Sequence, residues 1–285
     1  MFKSLKRLAY LLDHIFSTNQ SKVLSWSRPI ESAKRIDNPC GSPLLSYIHF
    51  SEDGRMEESE VETLRLIKSL GYSICLTVNR QRGLTLCSED LVRDYGDFAD
   101  VFIVRKNIGL DLAAHRDAKR VLASAGITSK VHIYMNNSVY WFPSKIHSYF
   151  IDLERQSSDI CAATISEQYS THIQTYLFAS FTEQAEEAIA FWLEKVKNWR
   201  LKKCVVNLGE LKTSRFFEGG LRISTLPTVS QKFLRSRNGD SVNPSVAFAV
   251  ELYQSGFPGV KRSALAGQSP EAIATKSYFL AEGLL

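Results

Sequence analysis

Three small polar side chains stand where an apolar run ends, in the stretch HIYMNNSVYWFP at 132–143. Asn136, Asn137 and Ser138 follow residues typical of a buried strand and precede a group of aromatics. In an open α/β sheet, ligands bind beyond the carboxyl ends of the strands, so polar residues at this place are site candidates. Hard divalent cations prefer carboxylate oxygens, and Asn137 offers only a neutral amide. The stretch therefore predicts a polar binding site in which a divalent metal is disfavoured.

A second candidate is VRKNIGLDLAAHRDA at 104–118, which also follows an apolar run. Gly109 permits a tight backbone turn, and Asp111 is placed to cap the helix that follows. The free amides of that helix start, with Arg105 and Lys106 beside them, favour an anion such as phosphate. The alternative is an ordinary strand-to-helix turn, in which Gly and Asp are the usual residues. Both interpretations stay open at this point.

Two other places carry titratable side chains near predicted strand ends. In TISEQYSTHIQTYLFASF at 164–181, Glu167 and His172 are both candidates for a general base. The alternative for this stretch is a loop that leads into an aromatic core segment. His49 closes the apolar run LLSYIHF, and Asn79 closes a second run. A single histidine is weak evidence for a site, and the alternative is a histidine satisfied inside the core.

The elements that must position these residues alternate between strand and helix. Apolar runs predict strands, whereas EESEVETLRLIKSLG and EQAEEAIAFWLEKVKNW have helical periodicity. The predicted strands are 44–50, 72–79, 100–105, 130–135 and 159–165, and further helices are predicted at 111–124, 143–155, 244–255 and 270–282. This alternation predicts an α/β fold with a mostly parallel, doubly wound sheet flanked by helices.

The first 43 residues differ from the rest. MFKSLKRLAYLLDHIF at 1–16 places apolar residues at helical spacing among lysines and an arginine. This amphipathic helix is expected either to lie on a membrane surface or to pack on the domain. Residues 17–43 are polar and broken by prolines, which predicts a connector. We therefore divide the chain into an N-terminal helix with its connector, 1–43, and a single domain with C-terminal helices, 44–285.

Composition excludes several classes of protein. The 285 residues carry a formal net charge of +5, which suits anionic partners. The basic residues are dispersed and no motif combines them with stacking aromatics, so nucleic acid is not an expected partner. Five widely spaced cysteines favour reduced thiols. Because no apolar run reaches the about 18 residues of a membrane span, we expect a cytoplasmic protein, at most peripheral on the inner face of the membrane.

Taken in order, the motifs resemble those of the rhamnan synthesis protein F family of polysaccharide-assembling glycosyltransferases, over residues 44 to 266. The segments that carry the resemblance are RKNIGLD, NNSVYWFPSKI, ISEQYSTHIQTYLFASF, NLGELKTSRFFEGG and NPSVAFAVELYQSGFPGVKRSAL. Positions that match the family pattern are Arg105, Asn107, Gly109, Asp111, Asn136, Ser138, Pro143, His172, Gln174, Tyr176, Glu210, Gly220, Asn243, Pro244, Pro258 and Lys261. Two positions depart from it: Asn137 stands where the family has an acid, and Phe142 replaces a glycine.

The resemblance implies a glycosyltransferase with a GT-A-like fold. Such an enzyme moves a sugar, here rhamnose or another hexose, from a nucleotide-diphosphate donor to a growing cell-surface polysaccharide or lipid-linked glycan. It implies Mn²⁺ or Mg²⁺ as a cofactor, although Asn137 disfavours either metal. The implied donor-binding residues are His49, Asn79, Arg105, Asn107, Gly109, Asp111, Asn136, Asn137, Ser138, Gln174 and Lys261.

For the general base that the transfer needs, Glu167 is preferred over His172, since a carboxylate suits a hydroxyl acceptor. Lys261 and Arg262 are expected to close over the diphosphate and replace the charge of a missing metal. The alternative for these two residues is a solvated basic surface.

A second hypothesis has a different basis. Because Asn137 replaces an acid, the chain is also compatible with a catalytically impaired protein. Such a protein would bind a nucleotide sugar or a glycan as a scaffold in a polysaccharide-assembly complex. Nucleotide binding without turnover would distinguish it from an enzyme.

Overall fold

The computed structural model describes residues 29–35, 41–81, 83–228 and 242–285. The helix predicted at 1–16, with its expected membrane contact, lies outside the described residues, as does most of the predicted connector. The domain boundary at residue 44 therefore stays a prediction. Cys40 is also outside, and the four described cysteines, Cys75, Cys87, Cys161 and Cys204, are free thiols.

A mixed sheet forms the centre of the described chain. Its eight strands are β1 (Ile30–Arg35), β2 (Leu44–Phe50), β3 (Ser73–Arg80), β4 (Val101–Lys106), β5 (His132–Asn136), β7 (Ile160–Ala162), β10 (Leu177–Ser180) and β11 (Ile223–Thr225). They are ordered β1-β4-β3-β2-β5-β10-β7-β11. The pairs β4/β3, β3/β2, β2/β5 and β7/β11 are parallel, and the remaining three are antiparallel. Because β2, β3, β4 and β5 are parallel, their carboxyl ends lie at one edge of the sheet.

The central strands are buried on both faces. In β3, Leu76 and Val78 belong to one apolar cluster, whereas Cys75 belongs to another on the opposite face. Strands covered on both faces read as continuous apolar runs, because both sets of alternating side chains are inside. That is the physical reason why these strands are visible in the sequence.

Helices cover the two faces of this sheet. They are α1 (Glu58–Ser69), α2 (Ser88–Tyr95), α3 (Leu110–Ser124), α4 (Pro143–Glu154), α5 (Glu183–Lys195), α6 (Lys202–Leu208), α7 (Ser214–Glu218), α8 (Pro244–Ala247), α9 (Ala249–Gln254), α10 (Arg262–Leu265) and α11 (Pro270–Ala281), with a 3-10 helix at Glu210–Thr213. Leu64 of α1 and Phe150 of α4 pack into the cluster of Leu76. Leu122 of α3 packs into the cluster of Cys75. Among the described residues, none of these helices combines the length and apolar character that crossing a bilayer requires.

Two small sheets stand beside the large one. β6 (Val139–Trp141) pairs antiparallel with β12 (Gly259–Lys261), and β8 (Ile165–Ser166) pairs with β9 (His172–Ile173). The register Lys261 to Val139 brings the C-terminal part of the chain next to the polar triplet at the end of β5. An aromatic cluster around Phe142 and Phe279 holds the last helices against β6 and β12.

The α/β fold with a mostly parallel central sheet and flanking helices is confirmed. Most predicted strands and helices are present with small differences at their ends, but two of them are divided. The strand predicted at 159–165 is β7 followed by the two residues Ile165–Ser166, and the helix predicted at 244–255 is α8 followed by α9. One difference concerns the predicted connector, in which Ile30–Arg35 forms the edge strand β1. β1 is polar and mostly exposed, so it lacks the apolar run that marks the inner strands.

Candidate functional site

A polar cavity of about 100 Å³ opens at the carboxyl edge of the sheet. It is lined by side chains from α3, from the end of β5, from α6 and its following 3-10 helix, and from β12. Its charged members are Asp111, Lys202, Glu210 and Lys261, and its polar members include Asn136, Ser138 and Thr175. Two carboxylates and two ammonium groups thus share one small space.

Asn136 fixes the geometry on one side of this cavity. Its Nδ2 donates to Asp111 Oδ2 at 2.9 Å, and its Oδ1 accepts from both the backbone N–H and the hydroxyl of Ser138, at 2.9 and 2.6 Å. The backbone carbonyl of Asn136 accepts from Trp141 Nε1 at 3.1 Å. The triplet at the end of β5 therefore orients a carboxylate and a hydroxyl.

The four charges influence one another. Burial raises the pKa of Asp111, and the nearby carboxylate of Glu210 raises it further, against the opposing effect of Lys261 and Lys202. Burial lowers the pKa of the Lys261 ammonium, which Glu210 and Asp111 oppose. Lys261 Nζ lies 4.9 Å from the centre of the Tyr176 ring. An anionic ligand in this cavity would thus meet a partly desolvated cation.

Glu210 lies in the cavity, although it is not among the catalytic or donor-binding residues that the sequence predicts. Its Oε1 accepts from the Thr175 backbone N–H at 3.3 Å, at the start of the 3-10 helix. The residue before it, Gly209, packs closely against α6 and α3. A Cβ at Gly209 would lie 2.5 Å from Val205 O and 2.7 Å from a Leu112 methyl group. The available signal was the match of Glu210 to the family pattern, but no strand end or periodicity pointed to it.

A larger cleft of about 600 Å³ lies at the ends of β2, β3 and β4. It is lined by Phe50, Arg80, Gln81, Lys106, Asn107, Ile108 and Arg200. Ile108 lines this cleft and Leu110 lines the smaller cavity, so one turn of the chain joins the two. Of the predicted donor-binding residues, Asn107 lies in the cleft, and Asp111, Asn136, Ser138 and Lys261 lie in the cavity.

Arg105 and Asn79 support the turn between β4 and α3. Arg105 is fully buried, and it donates to Asp117 Oδ2 at 3.0 Å, to Asn79 Oδ1 at 2.5 Å and to Ile108 O at 2.7 Å. Burial lowers the pKa of Arg105 to about 10, with Asp117 opposing the shift. Gly109 follows with φ of +78°. Neither Arg105 nor Asn79 lines the cleft or the cavity, which differs from the predicted direct contact with a nucleotide.

His49 and Asn137 are engaged in structural contacts. His49 is buried between Glu60 Oε1 at 2.7 Å and the Ser51 hydroxyl at 3.0 Å. Asn137 accepts from the Phe50 N–H at 3.2 Å and donates to the Phe50 carbonyl at 2.8 Å. A carboxylate has no hydrogen to donate to that carbonyl, so the amide fits here and an aspartate does not. Asn137 therefore links the ends of β2 and β5 and does not line the cavity.

The predicted catalytic pair is also placed elsewhere. His172 is buried in β9, and its Nδ1 lies 2.6 Å from the Ser170 carbonyl. Gln174 Oε1 accepts from the Thr164 hydroxyl at 2.7 Å. Glu167, which directly follows β8, is partly buried. None of these three lines the cavity, whereas Glu210 does.

The cavity does not fit a divalent metal ion well. Within the described ranges, no three His, Cys, Asp or Glu side chains are grouped so as to hold one. Asn137 is turned toward Phe50, and Lys261 places an ammonium beside Asp111 and Glu210. A second cation at this place would be repelled by that ammonium.

The chain was compared with protein-family models, with curated sequences and with solved structures. No protein-family model matches it. The uncharacterized protein y4gN of Sinorhizobium fredii is 27% identical over 218 residues, which cover 73% of this chain and 55% of that protein. The chain thus spans about half the length of the curated relative it matches.

Several solved structures are similar to this chain. They include the glycosyltransferase GlyE of Streptococcus pneumoniae TIGR4, with 10% identity, a TM-score of 0.39 and coverage of 75% of this chain and 50% of that one. A nucleoside-diphosphate-sugar pyrophosphorylase of Vibrio cholerae RC9 has 10% identity, a TM-score of 0.42 and coverage of 64% and 90%. The mannosyltransferase PcManGT of Pyrobaculum calidifontis, in complex with GDP-Man and Mn²⁺, has 11% identity, a TM-score of 0.35 and coverage of 99% and 90%. Because these TM-scores lie below 0.5, they decide neither function nor substrate.

Proposed function

We propose that this protein transfers a sugar from a nucleotide-diphosphate donor to a glycan. The observation that carries the proposal is the cavity at the carboxyl edge of the sheet, where Asp111 and Glu210 face Lys202 and Lys261. Glycosyl transfer develops negative charge on the departing diphosphate and needs a base for the incoming hydroxyl. Ammonium groups and carboxylates in one cavity supply both requirements.

The donor is proposed to span the cleft and the cavity. The nucleoside occupies the cleft beside Asn107, and the diphosphate lies against Lys261, Lys202 and the hydroxyl of Ser138. Lys261 is held by its pairing with β6 and by the ring of Tyr176, so its charge is positioned before the donor arrives. Charges fixed in advance stabilise a developing anion more effectively than flexible ones.

Glu210 is proposed as the general base in place of Glu167. One of its carboxylate oxygens accepts from the Thr175 N–H, which holds the side chain in the cavity. Asp111, bound by Asn136 Nδ2, is assigned to orient a hydroxyl of the donor sugar. The sequence resemblance supports rhamnose or another hexose as the sugar, and a cell-surface polysaccharide or lipid-linked glycan as the acceptor.

Metal-independent donor binding is part of this proposal. Lys261 and Lys202 provide the positive charge that Mn²⁺ or Mg²⁺ would otherwise bring to the diphosphate. Thermal unfolding with UDP, GDP, dTDP and CMP, each with EDTA or with Mn²⁺, tests this directly. One nucleotide is expected to raise the melting temperature, because a ligand at a hundred times its Kd adds about 2.7 kcal/mol to the free energy of unfolding. The rise should be equal with EDTA and with Mn²⁺, because the proposed site needs no metal.

Substitution of Glu210 tests the catalytic assignment. Glu210→Gln is expected to keep the nucleotide shift but to lower the transfer rate by about 10²-fold or more, since an amide is no base at neutral pH. Glu62→Gln, at an exposed position of α1, is the matched control and should retain full activity. Full activity of Glu210→Gln would contradict the assignment of the base, and absence of any nucleotide shift would contradict the donor site.

A non-catalytic scaffold is the second candidate, and the placement of Asn137 is the observation in its favour. The amide at this position serves the fold, so the acid of the family pattern has been replaced by a structural residue. A nucleotide shift without donor hydrolysis or transfer, under any metal condition, would favour the scaffold over the enzyme.

A further inference from the structure

An apolar groove of about 340 Å³ lies outside the site described above. Two helical stripes face each other across it. One stripe, on α5, comprises Ala188, Phe191, Trp192 and Lys195, and the other, from the end of α6 to α7, comprises Leu208, Lys212, Arg215 and Phe216. Residues at spacings of three and four share one face of a helix, so the stripe on α5 is continuous. The second stripe is assembled from α6, the 3-10 helix and α7.

Aromatic rings form most of the apolar lining. Phe191 is 63% exposed, although the two other rings of the groove, Trp192 and Phe216, are buried. The rings of Trp192 and Phe216 pack edge to face, with their centres 5.7 Å apart. An exposed phenylalanine above a buried aromatic floor is the arrangement expected of a surface that receives an apolar ligand.

Three cations border this groove: Lys195, Lys212 and Arg215. Among the described residues, no carboxylate lies within ion-pair distance of Lys195, Lys212 or Arg215, although α5 and α7 carry the exposed acids Glu187 and Glu218. Lys195 Nζ lies 4.6 Å from the centre of the Phe191 ring, so its charge stays at the edge of the apolar surface. Three positive charges border this apolar slot, of which Lys195 also acts on the neighbouring Glu194 carboxylate. Together they complement a ligand that has an apolar body and an anionic head.

We propose that this groove binds a single-chain amphiphile with a phosphate head group. The aliphatic chain would lie between the two stripes, against Phe191 and Trp192, and the phosphate would bind among Lys195, Lys212 and Arg215. The volume is that of a small-molecule site rather than of a groove for a peptide helix, which is about 10 Å wide. Because the surface is concave, it suits an enclosed chain better than a flat bilayer.

This site is separate from the proposed sugar transfer. The same segment lines both places, but with different side chains: Lys202 and Glu210 face the catalytic cavity, while Leu208 and Lys212 face the groove. Binding of an amphiphile therefore requires neither a nucleotide nor turnover. Its failure and the failure of the glycosyltransferase proposal are distinguishable, because each has its own ligand and its own variants.

Calorimetric titration with dodecyl phosphate, below its micelle concentration, tests the proposal. We expect saturable binding to one site, with no comparable binding of dodecyl maltoside or inorganic phosphate. The double variant Lys212→Ala with Arg215→Ala should weaken binding by about tenfold, whereas Lys276→Ala, an exposed lysine on α11, should leave it unchanged. Phe191→Ala should also weaken binding, since the chain loses its exposed aromatic contact.

Three results would overturn the proposal. Equal binding of dodecyl maltoside would show that the cations have no role, and equal binding of inorganic phosphate would show that the aromatic lining has none. Binding of an acidic peptide containing Phe and Leu, without binding of dodecyl phosphate, would assign the groove to a protein partner. Circular dichroism of each variant verifies that the fold is retained.

Discussion

At the scale of single residues, Ser46, His132 and Glu186 show that hydrogen bonds in a catalytic order form an active site only where a ligand can reach them. Ser46 Oγ lies 2.8 Å from His132 Nε2, and His132 Nδ1 lies 2.8 Å from Glu186 Oε1, which is the order of a hydrolase triad. Ser46 is completely buried in β2, and Glu186 also accepts from the Tyr134 and Ser180 hydroxyls. The three residues therefore belong to a network that ties α5 to the sheet.

The same region contains a buried histidine that should control acid stability. His115 packs against Tyr134 and Phe178, and neither of its ring nitrogens has a hydrogen-bond partner among the described residues. Burial, with a smaller contribution from nearby His132, lowers the pKa of His115 from 6.5 to about 3. The unfolded chain therefore binds a proton between pH 6.5 and pH 3 that the folded chain does not bind.

His115→Phe is expected to reduce the loss of stability in acid. The contribution of His115 is fully present above pH 6.5 and is lost as the pH falls toward 3, by several kcal/mol at about 1.4 kcal/mol per pKa unit. Urea unfolding at pH 7.5 and pH 4.5 should show a smaller difference for this variant than for the natural protein. His147→Phe, at an exposed position, is the control. An unchanged pH dependence for both variants would refute the assignment to His115.

At the scale of elements, the turn between β4 and α3 determines where Asp111 stands. Gly109 has φ of +78°, and a Cβ at this residue would lie 2.4 Å from the Ala113 Cβ and 3.0 Å from the Lys197 carbonyl. Gly126, beyond the other end of α3, has φ of +70° but open space around it. Both glycines need a positive φ, but only Gly109 is closely packed. Comparing substitutions at the two positions therefore separates the cost of backbone strain from the cost of a steric clash.

Gly126→Ala should cost about 1 kcal/mol through backbone strain alone, and Gly109→Ala should cost more, because the added methyl group also displaces α3. Denaturant unfolding measures both losses. Gly109→Ala should in addition weaken nucleotide binding, since Asp111 and Ile108 move with the turn, whereas Gly126→Ala should not. Equal losses and equal nucleotide binding for the two variants would show that close packing at Gly109 is unimportant.

The elements also show how far the sequence alone predicts this fold. Strands such as β2 and β3 are continuous apolar runs, and α1 and α5 have clear helical periodicity, so their types were predictable. β6 and β12 are only three residues long, and a strand of that length is defined by its partner rather than by its own pattern. The polar edge strand β1 was missed because its pairing with β4 leaves most side chains exposed.

The cavity was predictable only in part. Asp111, Asn136, Ser138 and Lys261 were expected from strand ends and from the family resemblance, and they do meet. The sequence could not show that Arg105 turns inward to Asp117, since a buried ion pair and a ligand contact use the same residue type. Glu210 was passed over as a base because its place depends on how α6 packs against α3. Long-range packing of this kind leaves no periodic signal in one sequence.

At the scale of the whole molecule, Arg262 connects distant parts of the chain at the edge of the cavity. Its guanidinium binds Glu57, just before α1, through two contacts of 2.9 Å, and its Nε donates to Asn137 O at 2.8 Å. To close over a diphosphate, as the sequence predicts, Arg262 would have to give up these three contacts. Lys261, the preceding residue, faces the cavity instead.

Arg262→Ala should loosen the attachment of β12 and α10 and leave the large sheet intact. The variant loses the Asn137 contact as well as the exposed ion pair, so we expect a loss of about 1–3 kcal/mol, whereas Glu57→Gln should cost less than about 1 kcal/mol. Hydrogen exchange should accelerate at β12 and α10 but not at β2 and β3. Arg155→Ala is the control, because Arg155 pairs with Asp152 of α4, in an exposed ion pair. Uniform acceleration across the sheet would contradict this local role and would show that Arg262 stabilises the entire domain. Unchanged exchange would show that the aromatic cluster around Phe142 holds β12 and α10 without Arg262.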